Sequence, residues 1–163
     1  EGWTQKQIEQ ALNLKLPGEN LEGFLFPDTY QFPLGVSGEE VVKKMRDNFD
    51  KKTAGLEITQ DIVIMASLIE KEVRTKEDKE LVSGILWKRL KVSMPLQIDA
   101  EMWTYQNRGL PPAPIANPGL ESILAAIYPK ESPYWYYLST PAGQTIFSKT
   151  LEEHNIAKAK YLK

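Results

Sequence analysis

Ile62-Val63-Ile64-Met65-Ala66-Ser67-Leu68-Ile69-Glu70-Lys71-Glu72-Val73 is the stretch that decides the fold. Thr59 stands ahead of it as an N-cap, and no polar stripe interrupts it before the last turn. A helix that is apolar almost all round belongs inside a domain, with other elements covering every side. C-terminal to it, Leu81, Val82, Ile85, Leu86 and Leu90 recur at the spacing of an amphipathic helix that ends before Pro95. N-terminal to it, Ser37 and Glu40 form a capping box ahead of Val41, Val42, Met45 and Phe49. A second capping box, Thr4 with Gln7, opens a short helix that ends near Pro17-Gly18. Between these two, Leu21, Phe24, Phe26, Tyr30 and Phe32 read as two short extended pieces around a Pro27-Asp28 turn.

Residues 95–119 are rich in loop signals, and Pro111, Pro112, Pro114 and Pro118 stiffen part of them into a wall. Asn117 before Pro118 reads as the start of a helix carrying Leu120, Ile123, Leu124 and Ile127. Tyr134 to Leu138 and Thr145 to Ser148 flank Pro141-Ala142-Gly143 as a β-hairpin, and Thr150 with Glu153 caps a last helix. No repeat, low-complexity tract or linker divides the chain. The predicted architecture is α+β: a helix-rich single domain over residues 1–163, with small antiparallel β elements packed around one buried helix.

Composition narrows the chemistry. The 163 residues carry 20 Lys+Arg against 22 Asp+Glu, no Cys and one His. Thiol nucleophiles, disulfides and Cys-ligated metals are excluded. With His154 the single imidazole, so are the common catalytic zinc sets. A net charge of −2 does not suit a protein that neutralises nucleic-acid phosphates. The glycines form neither a phosphate loop nor a nucleophile elbow. No apolar run approaches the roughly 20 residues of a membrane span. The first residue is Glu1, not Met, which reads as a fragment or processed chain whose anchor would lie upstream. Carboxylates, hydroxyls, amides and aromatic faces remain.

Among the carboxylates Glu70 stands out, because it sits on the otherwise apolar helix above Ser67 and Ala66, its small neighbours at i−3 and i−4. Small neighbours leave room for a pocket, and burial there would favour the protonated acid that a general acid needs. The competing reading is an ion pair with Arg74 at i+4. Glu72 lies about 200° further round the helix and cannot share a site with Glu70. The aromatic clusters Phe24-Phe26-Tyr30-Phe32 and Tyr134 to Tyr137 are read mainly as core, although four consecutive rings expose some as platforms for sugar faces. His154, between Glu153 and Asn155, is read as a surface or packing residue, or as a ligand hydrogen-bonder if it has a role.

Five stretches in order resemble the MltG/YceG-like family of membrane-anchored endolytic murein transglycosylases. They are Leu21 to Tyr30; Ala66 to Glu72; Leu96-Gln97-Ile98-Asp99; Gly109 to Gly119; and Phe147-Ser148-Lys149-Thr150 with His154-Asn155. One departure is Ile98-Asp99-Ala100-Glu101, where the family commonly has Ser-Asp-Pro-Thr; Gln97 and Asp99 match.

The resemblance implies that Glu70 is the catalytic acid/base, cleaving the β-1,4 bond between N-acetylmuramic acid and N-acetylglucosamine. The substrate's own 2-acetamido group stands in for a second carboxylate, and the C6 hydroxyl closes a 1,6-anhydro ring, so neither metal nor cofactor is needed. Glu22, Tyr30, Gln97, Asp99, Asn117 and Ser148 are expected to bind saccharide or position Glu70, against plain capping, turn or strand-end roles. The expected partners are peptidoglycan strands and the wall-synthesis machinery. The expected location is the extracytoplasmic face of the bacterial cytoplasmic membrane. A water-using muramidase and a non-catalytic peptidoglycan-binding scaffold are the alternatives.

Overall fold

The computed structural model describes residues 1–162 and contains seven helices and one two-stranded sheet among them. In chain order they are α1 (Gln5–Leu12), α2 (Gly38–Lys52), α3 (Gln60–Glu72), α4 (Lys76–Lys91), α5 (Trp103–Gln106), α6 (Leu120–Ile127), β1 (Tyr136–Ser139), β2 (Thr145–Ser148) and α7 (Leu151–Tyr161). The predicted α+β class and the central buried helix are both observed.

α3 is the axis of the domain. Every residue from Val63 to Ile69 is buried, including Ser67. α4 and α6 pack directly on it. Val82 and Leu86 of α4 and Ile123 and Ala126 of α6 join Val63, Met65, Leu68 and Ile69 in one apolar cluster. Ser67 Oγ donates to the Ile64 carbonyl at 2.7 Å and accepts from the Ile115 amide at 3.1 Å. The proline-rich loop therefore lies directly against the small residues of α3. A separate cluster, with Ile8, Leu16, Leu21, Leu25, Val41 and Met45, holds α1 and α2 together.

The caps at Thr4, Ser37, Thr59 and Thr150 form as the sequence predicts, the first two as complete capping boxes. Three local expectations change. Residues 21–33 form no strand; Leu21, Leu25 and Phe26 are buried as single anchors of an irregular segment. α1 ends at Leu12, closed by Asn13 in the left-handed conformation (φ 48°). α6 is capped by Gly119, not Asn117, because the Asn117 side chain is engaged elsewhere.

β1 and β2 pair antiparallel with Tyr136 opposite Ser148 and Ser139 opposite Thr145. α7 packs on this hairpin. Two contacts fasten the hairpin side of the molecule to α4. At Gly84 a Cβ would lie 2.0 Å from the Lys130 carbonyl oxygen, so only glycine lets residue 130 approach the helix. The buried Arg89 guanidinium donates from Nε and Nη2 to the Trp135 carbonyl at 3.0 and 2.7 Å, and from Nη1 to the Leu96 carbonyl at 2.6 Å. One cation thus sets the distance between the hairpin and the 96–104 loop. The groove opens there.

Candidate active site

Two acids two residues apart leave the last turn of α3 in opposite directions. Glu70 points towards α4 and α6. Its Oε2 accepts from the Gly119 amide at 3.0 Å and from Ser122 Oγ at 2.7 Å, and its Oε1 lies 3.5 Å from Lys79 Nζ. The Glu70 and Lys79 side chains are 8% and 3% exposed, so this is a largely buried ion pair, with Glu70 also in the wall of a cavity. Lys79 also lies 3.8 Å from Glu121. The room that Ala66 and Ser67 appear to leave beside Glu70 is filled by the proline loop and by the start of α6. The ion pair of the competing reading is present, with Lys79 rather than Arg74 as the partner, and Glu70 also keeps a place in a cavity wall.

Glu72 faces the hairpin and the groove. Tyr137 Oη donates to its Oε2 at 3.0 Å, and the backbone amides of Asp99 and Ala100 also stabilise its charged form. Burial nevertheless dominates and raises the Glu72 carboxyl above its ordinary value, with the nearby Asp99 charge adding in the same direction. Tyr137 is itself raised well above 10 by burial and by Glu72, and so remains a donor. Two cavities, of about 350 and 360 Å³, share Lys71, Glu72 and Ser139 in their walls. One runs past Gln97, Asp99, Tyr105 and His154; the other runs past Glu70 and residues 73–74 to the hairpin turn. Glu72 stands where they meet.

The loop that carries Gln97 and Asp99 is tightly built. Gln97 adopts a left-handed backbone (φ 55°), and its amide donates to the Thr104 carbonyl at 3.2 Å. The buried Thr104 hydroxyl accepts from the Ile98 amide at 2.8 Å. Asp99 takes a short hydrogen bond from the Tyr105 hydroxyl, and burial with this contact pushes Tyr105 up to about 12.

Of the residues expected at the site, the structure brings Gln97 and Asp99 into one cavity with Glu72, and sets Glu70 beside Glu72 in the wall of the other. The other four reach neither cavity. Asn117 is a buried hub: Oδ1 accepts from the Gly23 and Leu25 amides at 2.9 Å each, and Nδ2 donates to the Trp3 carbonyl at 2.9 Å and to Glu22 at 2.7 Å. Glu22 also accepts from the Gln5 amide at 3.0 Å, tying the N-terminal segment down. Tyr30 stacks on Phe32, donates to the Phe26 carbonyl at 2.7 Å and accepts from Asn48 at 2.9 Å. Ser148 is buried on β2, where its carbonyl accepts from the Trp135 amide at 3.0 Å. These contacts tie the fold together, and Tyr30 and Asn117 also line a separate cavity of about 490 Å³.

Sequence reasoning missed Glu72, Tyr137 and Arg89. The signal for Glu72 was available in part: at about 200° from Glu70 it had to face a different neighbour. Which neighbour offered a groove depended on the hairpin, which is distant in sequence.

The sequence pattern of the YceG-like family matches residues 1–103 and 102–160. An endolytic murein transglycosylase of Bacillus subtilis (strain 168) is 37% identical across 92% of this chain and 49% of its own length. Another of that name, from Streptococcus pneumoniae serotype 2 (strain D39), is 27% identical across 87% of this chain and 32% of its own length. A crystal structure of a YceG-like protein from Listeria monocytogenes superposes with a TM-score of 0.75 at 34% identity, covering 85% of this chain and 55% of that one. The chain thus spans about half, or less, of the curated relatives it matches.

Proposed function

The chain belongs to the YceG-like family, and on that premise we propose that it is the catalytic part of an endolytic murein transglycosylase whose acid stands at the end of α3. That acid is Glu72 on the cavity geometry, or Glu70, its neighbour in the second cavity and the acid that the family resemblance implies. The observation that carries this reading is the position of Glu72 at the junction of two cavities, held by Tyr137 and raised by burial. A groove continuing on both sides of the acid suits a bond inside a glycan strand. Glu72 protonates the oxygen leaving between N-acetylmuramic acid and N-acetylglucosamine. The sugar's 2-acetamido oxygen stabilises the developing charge at the anomeric carbon, so no second carboxylate is required. The Glu72 carboxylate then takes the proton of the C6 hydroxyl as that oxygen closes the 1,6-anhydro ring. Water is not consumed, and Glu72 ends protonated as it began.

Asp99, in the same groove and close enough to raise Glu72, supports a second reading in which water is the acceptor and the enzyme is a muramidase. The two differ in their products. Purified glycan strands digested by the chain and analysed by mass spectrometry are expected to carry anhydro ends; reducing ends would transfer the role to hydrolysis. Strands left undigested by wild type would sink both and leave a glycan-binding scaffold. Membrane anchoring through chain outside these residues, an extracytoplasmic location and contact with the wall-synthesis machinery belong to the same proposal.

A further inference from the structure

His154 lines the groove from α7 yet is only 8% exposed, and its ring is fixed by stacking on Tyr136 with centroids 5.4 Å apart. The Arg89 guanidinium lies 5.4 Å from the same Tyr136 ring, so the imidazole belongs to a rigid wall. Its Nδ1 is fully buried and has no hydrogen-bond partner among the described residues. Buried orphan donors are rarer than orphan acceptors, which favours the neutral tautomer with its proton on Nε2 and Nδ1 as the unpaired acceptor. The charged and titratable groups around it are Lys158 one turn along α7, Arg89 from α4 and Tyr136 from β1. Burial and the two cations lower its pKa, so the ring is neutral at neutral pH. A neutral donor in such surroundings suits an uncharged oxygen acceptor.

We infer that His154 is a substrate-gripping residue whose Nε2–H donates to an uncharged saccharide oxygen, a hydroxyl or an acetamido carbonyl, lying in the arm of the groove beside Gln97. The inference rests on the proposed glycan substrate and deepens it, because it assigns α7 as the wall that orients the sugar against Glu72. No hydrogen bond among the described residues uses this nitrogen, and α7 brings the His154 ring to the wall of the groove.

The test measures binding of purified glycan strands to the chain with both acids of α3 replaced, Glu70→Gln with Glu72→Gln, at a temperature where that background is folded, so that digestion does not deplete the ligand. His154→Phe keeps a flat ring to stack on Tyr136 but has no donor; His154→Gln restores an N–H. The Phe variant is expected to bind about five- to tenfold more weakly, the worth of one neutral hydrogen bond. The Gln variant is expected to recover to within about twofold, and thermal melts check that both fold. In the active background, KM should rise by the same factor in the Phe variant with kcat nearly unchanged. Equal binding by the Phe variant, or failure of Gln to rescue, overturns the inference while leaving the glycan reading intact. Absence of strand binding in the parent overturns both.

Discussion

Replacing Glu70 by glutamine separates a structural acid from a chemical one. In the folded protein the Glu70 carboxylate serves three donors: the Gly119 amide, the Ser122 hydroxyl and the Lys79 ammonium. A glutamine carbonyl can keep the first two, but its NH2 then confronts an ammonium that is itself 3% exposed. Breaking a buried pair by removing one partner costs roughly 3–5 kcal/mol. Here Glu121 stays 3.8 Å from Lys79 and is 55% exposed, so it offsets part of that cost through a screened interaction. A loss of about 2–4 kcal/mol follows, equivalent to a fall in Tm of roughly 5–15 °C for a domain of this size. Calorimetry reads this directly, and strand digestion at a temperature where the variant is folded reads the chemistry. If Glu72 is the acid, turnover there should stay within about tenfold of wild type, even though Glu70 stands beside it in the wall of the second cavity. Glu72→Gln should show the reverse, a near-native Tm with turnover down about 10²–10⁴-fold, the usual worth of a positioned general acid. A Glu70→Gln variant that melts like wild type but has lost more than a hundredfold in turnover would refute the assignment and return the acid role to Glu70.

Tyr137→Phe removes a donor that favours the Glu72 carboxylate, so the alkaline limb of the kcat/KM profile should move to higher pH. An unchanged or lowered limb would contradict Glu72 as the acid. Because burial raises Glu72 in the folded state, its contribution to stability is complete below the unfolded value near 4.5 and fades as pH rises through the folded one. Urea titrations at several pH values should therefore show Glu72→Gln flattening that decline. Asn117→Ala leaves the buried amides of Gly23 and Leu25 without an acceptor and should cost about 3 kcal/mol or more by denaturant unfolding. Asn117→Asp keeps that acceptor but sets a carboxylate against Glu22, so its deficit should shrink as pH falls towards 4.5. Gly84→Ala forces a Cβ to 2.0 Å from the Lys130 oxygen and should cost roughly 1–3 kcal/mol, measured as a drop in Tm.

Much of the fold was legible because it follows from local rules. Four caps and the all-round apolar face of α3 are properties of single stretches, and each formed as read. The misreadings share a cause: they concern side chains whose partners lie far away in sequence. Phe24, Phe26, Tyr30 and Phe32 alternate as strand residues do, but no second strand is available to pair with them, so the segment packs by single anchors. Asn117 has a good capping residue's chemistry, yet four partners between Trp3 and Leu25 compete for its amide and win. Glu70 has the small neighbours of a pocket acid and does stand in a cavity wall, but the space beside Ala66 and Ser67 is not that cavity. What fills the space is decided by Ile115 and Gly119, some 50 residues later.

The two acids of α3 therefore divide one task. A general acid must be held within a fraction of an ångström of its target, and a side chain on the last turn of a helix moves with any fraying of that turn. Glu70 prevents fraying by pinning the turn to the start of α6 and to α4, two residues before the chain delivers Glu72. Arg89 does the equivalent for the opposite wall, holding Leu96 and Trp135 from one buried side chain. The groove is thus flanked by two largely buried charges that stand in its walls. Arg89→Met supplies the corresponding test: it removes three hydrogen bonds that set the width of the groove while leaving Glu72 and Tyr137 in place. Strand affinity should fall, and so should kcat, since both the loop beside Gln97 and the hairpin bearing Tyr137 lose their common anchor. If only thermal stability fell, with KM and kcat unchanged below the melt, the groove walls would have to be set by the apolar core alone.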